Sequence, residues 1–313
     1  MNVTFRQLRL FLALAEHGSI TAAARACHVT QPTVSMQLRE LSDSVGLPLY
    51  EQIGKKLYLT AAGEALAETA RAMVDEWSAF GQRIDAMKGL ARGRVRLAVV
   101  STAKYFVPRL LGSFCASHPD VDVALEVLNR DGVVARLCDN RDDLYIMSMP
   151  PEHMDLERHD FLPHPLVVIA AESHPLARRR QIALAELGQE RFILREPGSG
   201  TRAMLDAFLG MHRIVPRERI TVSGNEMAKH AVMSRLGISL TSMHTLFLEL
   251  KTGALVRLDV DHTPIERTWY VVYHPDRWLP PAAAAFRDYL LDAGARKVEA
   301  ETRALLAAPP GGR

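Results

Sequence analysis

A chain of 313 residues with 48% hydrophobic and 24% charged residues has ordinary globular composition, and it exceeds what one hydrophobic core usually serves. The net charge is +2, and residues 1–60 carry six Lys/Arg against four Asp/Glu, so charge alone neither announces nor excludes a nucleic-acid partner. Three widely spaced cysteines (Cys27, Cys115, Cys138), twelve histidines without His-Glu-x-x-His spacing, no secretory leader pattern and no bilayer-length apolar run lead us to expect a cytoplasmic protein with reduced thiols, no metal and no membrane partner.

Phe5, Leu8, Phe11, Leu12 and Ala15 mark a first helix, capped by Thr4 with Arg6-Gln7 in its first turn. Ser19 caps a short Ala-rich second helix that admits close neighbours. Thr30 caps a third, with Pro32 in its first turn, where the missing N–H costs nothing. Val34, Leu38, Leu41 and Val45 share one buried face of this helix. Gln31, Pro32, Thr33, Ser35, Met36 and Arg39 are left outward, and amide, hydroxyl and guanidinium groups there suit base edges and phosphates in a major groove. Leu49 to Thr60 alternates around a Gly54-Lys55-Lys56 tip, a hairpin wing whose lysines are placed for phosphates. An ordinary helical hairpin followed by a solvated turn is the bland alternative. The order of helices and wing favours double-stranded DNA as the partner.

Residues 61 to about 91 read as one long helix. Leu66, Ala70, Met73, Trp77, Phe80, Ile84 and Met87 recur at alternating steps of four and three, an a/d seam over three heptads. A helix packed on its own domain is the alternative, but a seam directly after a DNA-binding unit favours a dimer that presents two recognition helices to two half-sites. Gly89-Leu90-Ala91-Arg92-Gly93 then supplies a hinge.

From Arg94 strands alternate with helices: Val95–Val100, Ser101-Thr102 opening a helix through Phe114, Val121–Leu128, Asp143–Ser148, Leu166–Ala171, Phe192–Leu194, Ile220–Val222, Ile238–Leu240 and Trp269–Tyr273, the last returning to the first half. This order predicts mainly parallel sheets covered on both faces, in two α/β lobes. Ligands in such folds sit at the carboxyl ends of strands, where helix N-termini point. Three segments belong there: Ser101-Thr102 with Lys104; Arg195-Glu196-Pro197-Gly198-Ser199-Gly200-Thr201-Arg202; and Asn225-Glu226 with Lys229. Singly each is explained as a capped helix with turn glycines; together they suggest a small-molecule anion site, with Arg202 forking onto the charge.

The segment from Phe5 to Gly63, with its Ser-Ile-Thr-Ala-Ala-Ala and Thr-Gln-Pro-Thr-Val-Ser stretches, resembles the LysR-type transcriptional regulators, and the resemblance extends over nearly the whole chain. It implies DNA binding, dimers pairing into tetramers, and RNA polymerase as a further candidate partner. One departure is Gln52, where the family usually has arginine two residues after the wing's first aromatic. Lys104-Tyr105-Phe106-Val107-Pro108, the Arg195–Arg202 segment, Gly237-Ile238-Ser239-Leu240 with His244-Thr245-Leu246, and Thr263-Pro264-Ile265-Glu266-Arg267 resemble the branch regulating carbon-dioxide fixation. That branch implies an anionic effector, a phosphorylated metabolite or a nicotinamide dinucleotide phosphate. Ser148-Met149 replaces that branch's usual Gly-Arg before Pro150-Pro151, and regulators of sulfur metabolism share much of the pattern.

The expected architecture is an α/β chain with a winged helix-turn-helix (1–60), a linker helix for dimerisation with hinge (61–92; Leu66, Met73, Trp77, Phe80, Ile84), a two-lobed effector domain like periplasmic binding proteins (93–299) and a disordered tail (300–313). DNA contacts are assigned to Thr30, Gln31, Pro32, Thr33, Ser35, Arg39, Lys55 and Lys56. Effector contacts are assigned to Ser101, Thr102, Lys104, Arg195, Gly198, Ser199, Gly200, Thr201, Arg202, Asn225 and Glu226. No cofactor is expected beyond the anionic effector. An α/β enzyme fused to a DNA-binding unit is the alternative, but no nucleophile elbow, dinucleotide fingerprint, P-loop or metal cluster appears. A transport-type binding protein would need an export signal.

Overall fold

The computed structural model describes residues 3–53, 56–87 and 93–307, and the chain divides into two compact units, Met1–Leu90 and Ala91–Arg313. In the first, α1 (Phe5–His17) opens on a reciprocal cap: the Gln7 N–H donates to the Thr4 hydroxyl, and the Gln7 side chain accepts from the Thr4 N–H. The Ser19 hydroxyl accepts from the Ala22 N–H at the start of α2 (Ile20–Ala26). The third helix, α3 (Gln31–Val45), departs from expectation at its cap. Thr30 holds the N-cap position and its carbonyl accepts from the Val34 N–H at 3.2 Å, but its hydroxyl caps no backbone N–H and instead meets that of Thr33 at 2.8 Å. Val34, Leu38 and Leu41 are fully buried against Leu10, Phe11 and Leu14, whereas Val45 is only partly covered. Buried Gln7 braces the helices from below: its amide reaches the Glu40 carboxylate at 3.4 Å, and Gln37 donates to the same carboxylate at 2.8 Å.

The wing is an antiparallel pair, β1 (Tyr50–Ile53) and β2 (Lys56–Leu59), in register from Tyr50↔Leu59 to Ile53↔Lys56. Next comes α4 (Ala61–Met87), 27 residues or roughly 40 Å long. Thr60 caps it, accepting from the Gly63 N–H at 3.1 Å and donating to the Pro48 carbonyl at 2.6 Å. A Cβ at Gly63 would lie 1.9 Å from the Leu49 carbonyl oxygen, so only glycine lets α4 pack this closely on the hairpin. The expected helix to residue 91 is described as far as Met87, the hinge at 89–92 lies outside the described residues, and Gly93 already begins the next strand.

The second unit has two lobes. The first contains β3 (Gly93–Val100), α5 (Val107–Ser117), β4 (Val121–Leu128), α6 (Arg130–Cys138), β5 (Leu144–Met147) and β6 (Glu157–Pro163). A 3-10 turn at Ala103–Tyr105 intervenes before α5, which runs three residues beyond the expected end at Phe114. The second lobe contains β7 (Leu166–Ala171), β8 (Arg191–Arg195), α7 (Gly200–Met211), β9 (Glu218–Val222), α8 (Asn225–Met233), β10 (Ser239–Ser242), α9 (Phe247–Thr252) and β11 (Leu255–Arg257). The chain then returns to the first lobe through β12 (Thr268–Tyr273) and α10 (Pro281–Tyr289).

The sheets are mixed rather than mainly parallel. In the order β4-β3-β5-β12-β6, the pairs on β3 are parallel and those on β12 antiparallel. In the second lobe β10-β7-β11 is antiparallel and β8-β9 parallel, tied together through the Phe192↔Ile238 bridge. Continuous apolar runs suit strands covered on both faces whatever their direction, so composition does not reveal polarity. The lobes are joined by two neighbouring crossings: His164 N–H donates to Arg267 C=O at 2.7 Å, and Leu166 and Ile265 exchange bonds of 3.0 and 2.8 Å.

The C-terminal stretch is not wholly a tail. A π-helical turn (Leu290–Gly294) leads into α11 (Ala295–Ala307), in which Val298 is buried in the first lobe's core while Leu305 and Leu306 pack on the second. The Arg257 guanidinium donates to the Leu306 carbonyl at 3.3 Å. Residues 308–313 lie outside the described residues. Replacing both Leu305 and Leu306 by alanine removes two half-buried side chains, an expected loss of about 2 kcal/mol. A drop of roughly 4–8 °C in the melting temperature of the full chain checks this; an unchanged melting point would show that the helix adds nothing to the packing.

Candidate functional site

Two surfaces gather the residues singled out in the sequence. On the first unit, Thr30, Gln31, Pro32 and Arg39 are exposed and Thr33 and Ser35 half-exposed along the start of α3. The helix therefore offers a polar, protruding N-terminal end while its opposite face is locked in the core. Lys55 and the side chain of Lys56 lie outside the described residues, so the expected wing contacts have no geometry here. On α4 the seam divides. Leu66 is half-buried against the winged-helix core and Ala70 is fully buried, so this end of the seam is partly covered by the chain's own fold. Met73, Trp77 and Phe80 are 48%, 57% and 46% exposed, and Trp77 bridges the rings of Phe5 and Phe80 at 5.5 and 5.6 Å. Ile84 is half-buried.

In the second unit a narrow pocket lies where the two lobes meet. Ser101, Thr102, Asn129, Arg130 and Met149 line it from the first lobe, and Ser199, Gly200 and Thr201 from the second. Its volume is about 10 Å3, room for about one water, so a metabolite requires the lobes to part. Two capped helices open onto it: Asn129 accepts from the Gly132 N–H at 3.0 Å on α6, and Ser199 from the Arg202 N–H at 3.4 Å on α7. Helix N-termini carry partial positive charge and free N–H groups, the natural setting for an anion. The lobes already touch here, through the Asp131 N–H and the Gly198 carbonyl at 3.2 Å. Gly198 has φ +83°, and a Cβ on it would meet Asp131 Oδ2 at 2.8 Å.

Cationic charge reaches this region from two arginines. Arg195, only 4% exposed, forks onto Glu196 at 2.7 and 2.8 Å, donates to Asn225 Oδ1 and lies 3.4 Å from the Ser101 hydroxyl across the cleft. Burial works against ionisation of Glu196, but the Arg195 guanidinium and the Gly224 N–H at 3.1 Å override it and hold the carboxyl below its usual range. The buried Asn225 amide nitrogen has no hydrogen-bond partner among the described residues. Arg130 lines the pocket itself and donates to the Met149 carbonyl at 3.0 Å. With Asp131 Oδ1 3.5 Å from its Nη1, it brings a guanidinium to the same lining as Ser148-Met149, where the family branch carries Gly-Arg.

Three assigned residues lie outside this narrow pocket. Arg202 instead lines an open pocket of about 310 Å3 beside it, together with Arg130, Gly198 and Ser199; its Nε pairs with Asp206 at 2.7 Å, one turn along the same helix, and Nη1 donates to the Arg195 carbonyl. Glu226 is engaged by the Tyr105 hydroxyl at 2.5 Å and by Lys229 at 3.2 Å, and buried Lys229 also bonds Glu249 at 2.6 Å. Lys104 lies 5.1 Å over the Tyr105 ring, also outside the lining. Glu226 and Tyr105 thus connect the lobes away from the pocket, and burial together with the Glu226 bond pushes the Tyr105 hydroxyl well above its usual pKa. Asn129 and Arg130 were missed, although the same signal marked them: Asn129 is a helix cap directly after strand Val121–Leu128.

Beside the crossings, His164 and His244 are buried around Trp269; His164 stacks on the indole at 4.2 Å, and the indole N–H donates to His244 Nδ1 at 3.4 Å. Burial, then the charge of Arg109, lowers His244 to about 4, and burial lowers His164 well below its ordinary value. Unfolded imidazoles take up protons near pH 6.5, whereas these remain neutral in the fold, so stability is full above that pH and falls between about 6.5 and 4. His244 alone is expected to contribute about 2 kcal/mol of loss between pH 7.5 and 5.0. Urea unfolding at both pH values should show His244→Gln reducing the pH dependence; an unaltered slope would assign the loss to other groups.

Comparison with known proteins places these features in one family. Residues 5–64 match the bacterial regulatory helix-turn-helix protein, lysR family, and residues 88–295 match the LysR substrate binding domain. The chain is 44% identical to a RuBisCO operon transcriptional regulator of Acidithiobacillus ferrooxidans, over 94% of this chain and 95% of that one. It is similar, at 44% identity and TM-score 0.63, to the regulatory domain of Synechocystis PCC6803 CcmR solved in complex with 2-PG, covering 66% of this chain and 98% of that one. Full-length CbnR complexed with its target DNA shares the fold at 24% identity and TM-score 0.66, over 95% of this chain and 100% of that one. The chain belongs to the LysR family of DNA-binding bacterial transcription regulators. No helix among the described residues is long and apolar enough to cross a membrane, and no group of His, Cys, Asp and Glu among them could hold a metal ion.

Proposed function

We propose that this regulator controls a carbon-dioxide-fixation operon in the cytoplasm and responds to a small phosphorylated anion held between the lobes of its second unit. The observation that carries the effector reading is the pocket where two helix N-termini, Arg130 and a ring of hydroxyls converge, with Arg195 behind Ser101. The operon reading rests on similarity to RuBisCO operon regulators, and 2-phosphoglycolate is the anion of the bound CcmR regulatory domain. Ser101, Thr102, Ser199, Gly200 and Thr201 hydrogen-bond its oxygens, while Arg130 and Arg195 balance its charge. Closing on the anion favours one lobe arrangement, and a coupling of about 1–3 kcal/mol suffices to alter DNA binding.

On the DNA side, a homodimer formed through α4 places two α3 helices in successive major grooves of an interrupted palindrome. Gln31, Thr33, Ser35 and Arg39 meet base edges and nearby phosphates, Thr30 and Pro32 seat the helix start, and the wing lysines Lys55 and Lys56 neutralise phosphates. Dimers pair into tetramers, RNA polymerase is the downstream partner, and the anion is bound without turnover. Mapping the chromosomal sites the protein occupies, with and without 2-phosphoglycolate, tests the proposal. Occupancy upstream of carboxylation genes that shifts with the anion supports it; occupancy confined to sulfur-assimilation genes, or hydrolysis of the anion by the protein, overturns it.

A further inference from the structure

Asn225, the first residue of α8, is only 2% exposed, and its amide nitrogen has no hydrogen-bond partner among the described residues. The orientation of this amide is forced. Arg195 Nη1 can only donate, so it takes Oδ1 and turns the nitrogen to the other side. A buried donor left without an acceptor is destabilising, and one that persists in a native fold calls for a reason. The same guanidinium extends Nη2 to the Ser101 hydroxyl of the first lobe at 3.4 Å, so Asn225 stands beside the seam between the lobes. That is the longest side-chain bond Arg195 makes, and it is the one released when the lobes part.

The nearby carboxylates are already satisfied. Both Glu196 oxygens are taken, by Arg195 Nε and Nη2 and by the Gly224 N–H, and Glu226 is held by Tyr105 and Lys229. No side chain caps α8, so its N-terminal N–H groups and partial positive charge add to the Asn225 amide. Arg195 is neutralised by Glu196, and recognition here is therefore set by the direction of hydrogen bonds rather than by net charge. Arg195 Nη2, the Asn225 amide and the Ser101 hydroxyl all donate. A carboxylate only accepts, and its two planar oxygens match such a set. We infer that Asn225 and Arg195 form a carboxylate subsite beside the narrow pocket, through which Asn225 selects effectors that carry a carboxylate as well as a phosphate. The inference rests on the effector reading above, in which Arg130 and the starts of α6 and α7 hold the phosphate. Ser101 belongs to both ends, since it lines the narrow pocket and also receives Arg195, so a short acid spans the two.

The test is calorimetric titration of the full chain with 2-phosphoglycolate and with ethyl phosphate, which lacks the carboxylate. Wild type is expected to bind 2-phosphoglycolate about 10- to 100-fold more tightly, the range of one hydrogen bond to a charged group. Asn225→Asp keeps the oxygen that Arg195 needs, so its melting point should hold, but it replaces the donor by an acceptor. It should bind 2-phosphoglycolate at least about a hundredfold more weakly and ethyl phosphate only a few-fold more weakly. Asn225→Ala removes the donor without adding charge, and the preference for 2-phosphoglycolate should shrink to about threefold or less. A merely structural role would weaken both ligands alike and leave the preference where it was. Failure of wild type to bind 2-phosphoglycolate would overturn the effector reading and this inference together. Equal affinity of wild type for the two ligands, or an undiminished preference in both variants, would overturn the inference alone.

Discussion

Trp77→Glu is expected to sediment as a monomer and to bind operator DNA at least a hundredfold more weakly than wild type. The helix α4 leaves Met73, Trp77 and Phe80 about half exposed in a line at steps of four and three, with Phe5 extending the apolar surface beside Trp77. Isolated exposed apolar residues are common, but a contiguous aromatic patch on a long helix marks a contact surface. In a symmetric pairing each Trp77 is buried against the partner helix, so the substitution places two carboxylates in an apolar seam. The cost is several kcal/mol, or about three orders of magnitude in the dimer dissociation constant. Losing the dimer also loses the gain from engaging two half-sites together, commonly a hundredfold or more. Trp77→Phe should remain dimeric, because it keeps an aromatic filling. Sedimentation velocity of both variants decides the matter: an unchanged oligomer for Trp77→Glu would mean that the patch serves no self-association.

Arg130→Met is expected to weaken 2-phosphoglycolate binding by about 10- to 100-fold, while Arg202→Met changes it little. A charge-assisted contact to a phosphate is worth roughly 1.5–3 kcal/mol, which is that range in affinity. Arg130 lines the interlobe pocket from α6, with its Nε on the Met149 carbonyl, so its guanidinium is oriented before any anion arrives. Arg202 is bound to Asp206 and to the Arg195 carbonyl; it lines the open pocket next door rather than the narrow one. Calorimetry on both variants, with melting curves to confirm folding, separates the two. Greater loss from Arg202→Met would return the charge to the residue that sequence spacing singled out. Arg195→Met is the poorer probe, since it would leave Glu196 and Asn225 without their shared partner and disturb the lobe itself.

The DNA-binding unit was legible because local chemistry and packing agree there. The caps at Thr4 and Ser19, the apolar face of Val34, Leu38 and Leu41, and the alternation of the wing each act over a few residues, and each appears in the fold. Eight of the ten strands of the second unit among the described residues were legible for the same reason, β6 and β11 being the exceptions, and so were the hydroxyls and glycines of Ser101-Thr102 and Ser199–Thr201, which do meet in one pocket. What the sequence by itself determined was therefore most of the elements and their order, though not β6, β11, α10 or α11, together with the family and the strand ends at which a ligand could sit. Tertiary structure alone decided how those ends meet. Strand direction is set by pairings between distant segments, as in β12 running antiparallel to β5 and β6, and continuous burial carries no mark of it. Whether an arginine faces a cleft or its own helix depends on what stands nearby: Asp206 one turn away claims Arg202, while the Met149 carbonyl, brought from another strand end, orients Arg130. Leu66 belongs to the a/d pattern, yet it is half covered by its own chain because the winged-helix core lies against that end of α4. Periodicity records which face of a helix is apolar, and only the assembled chain determines what covers it.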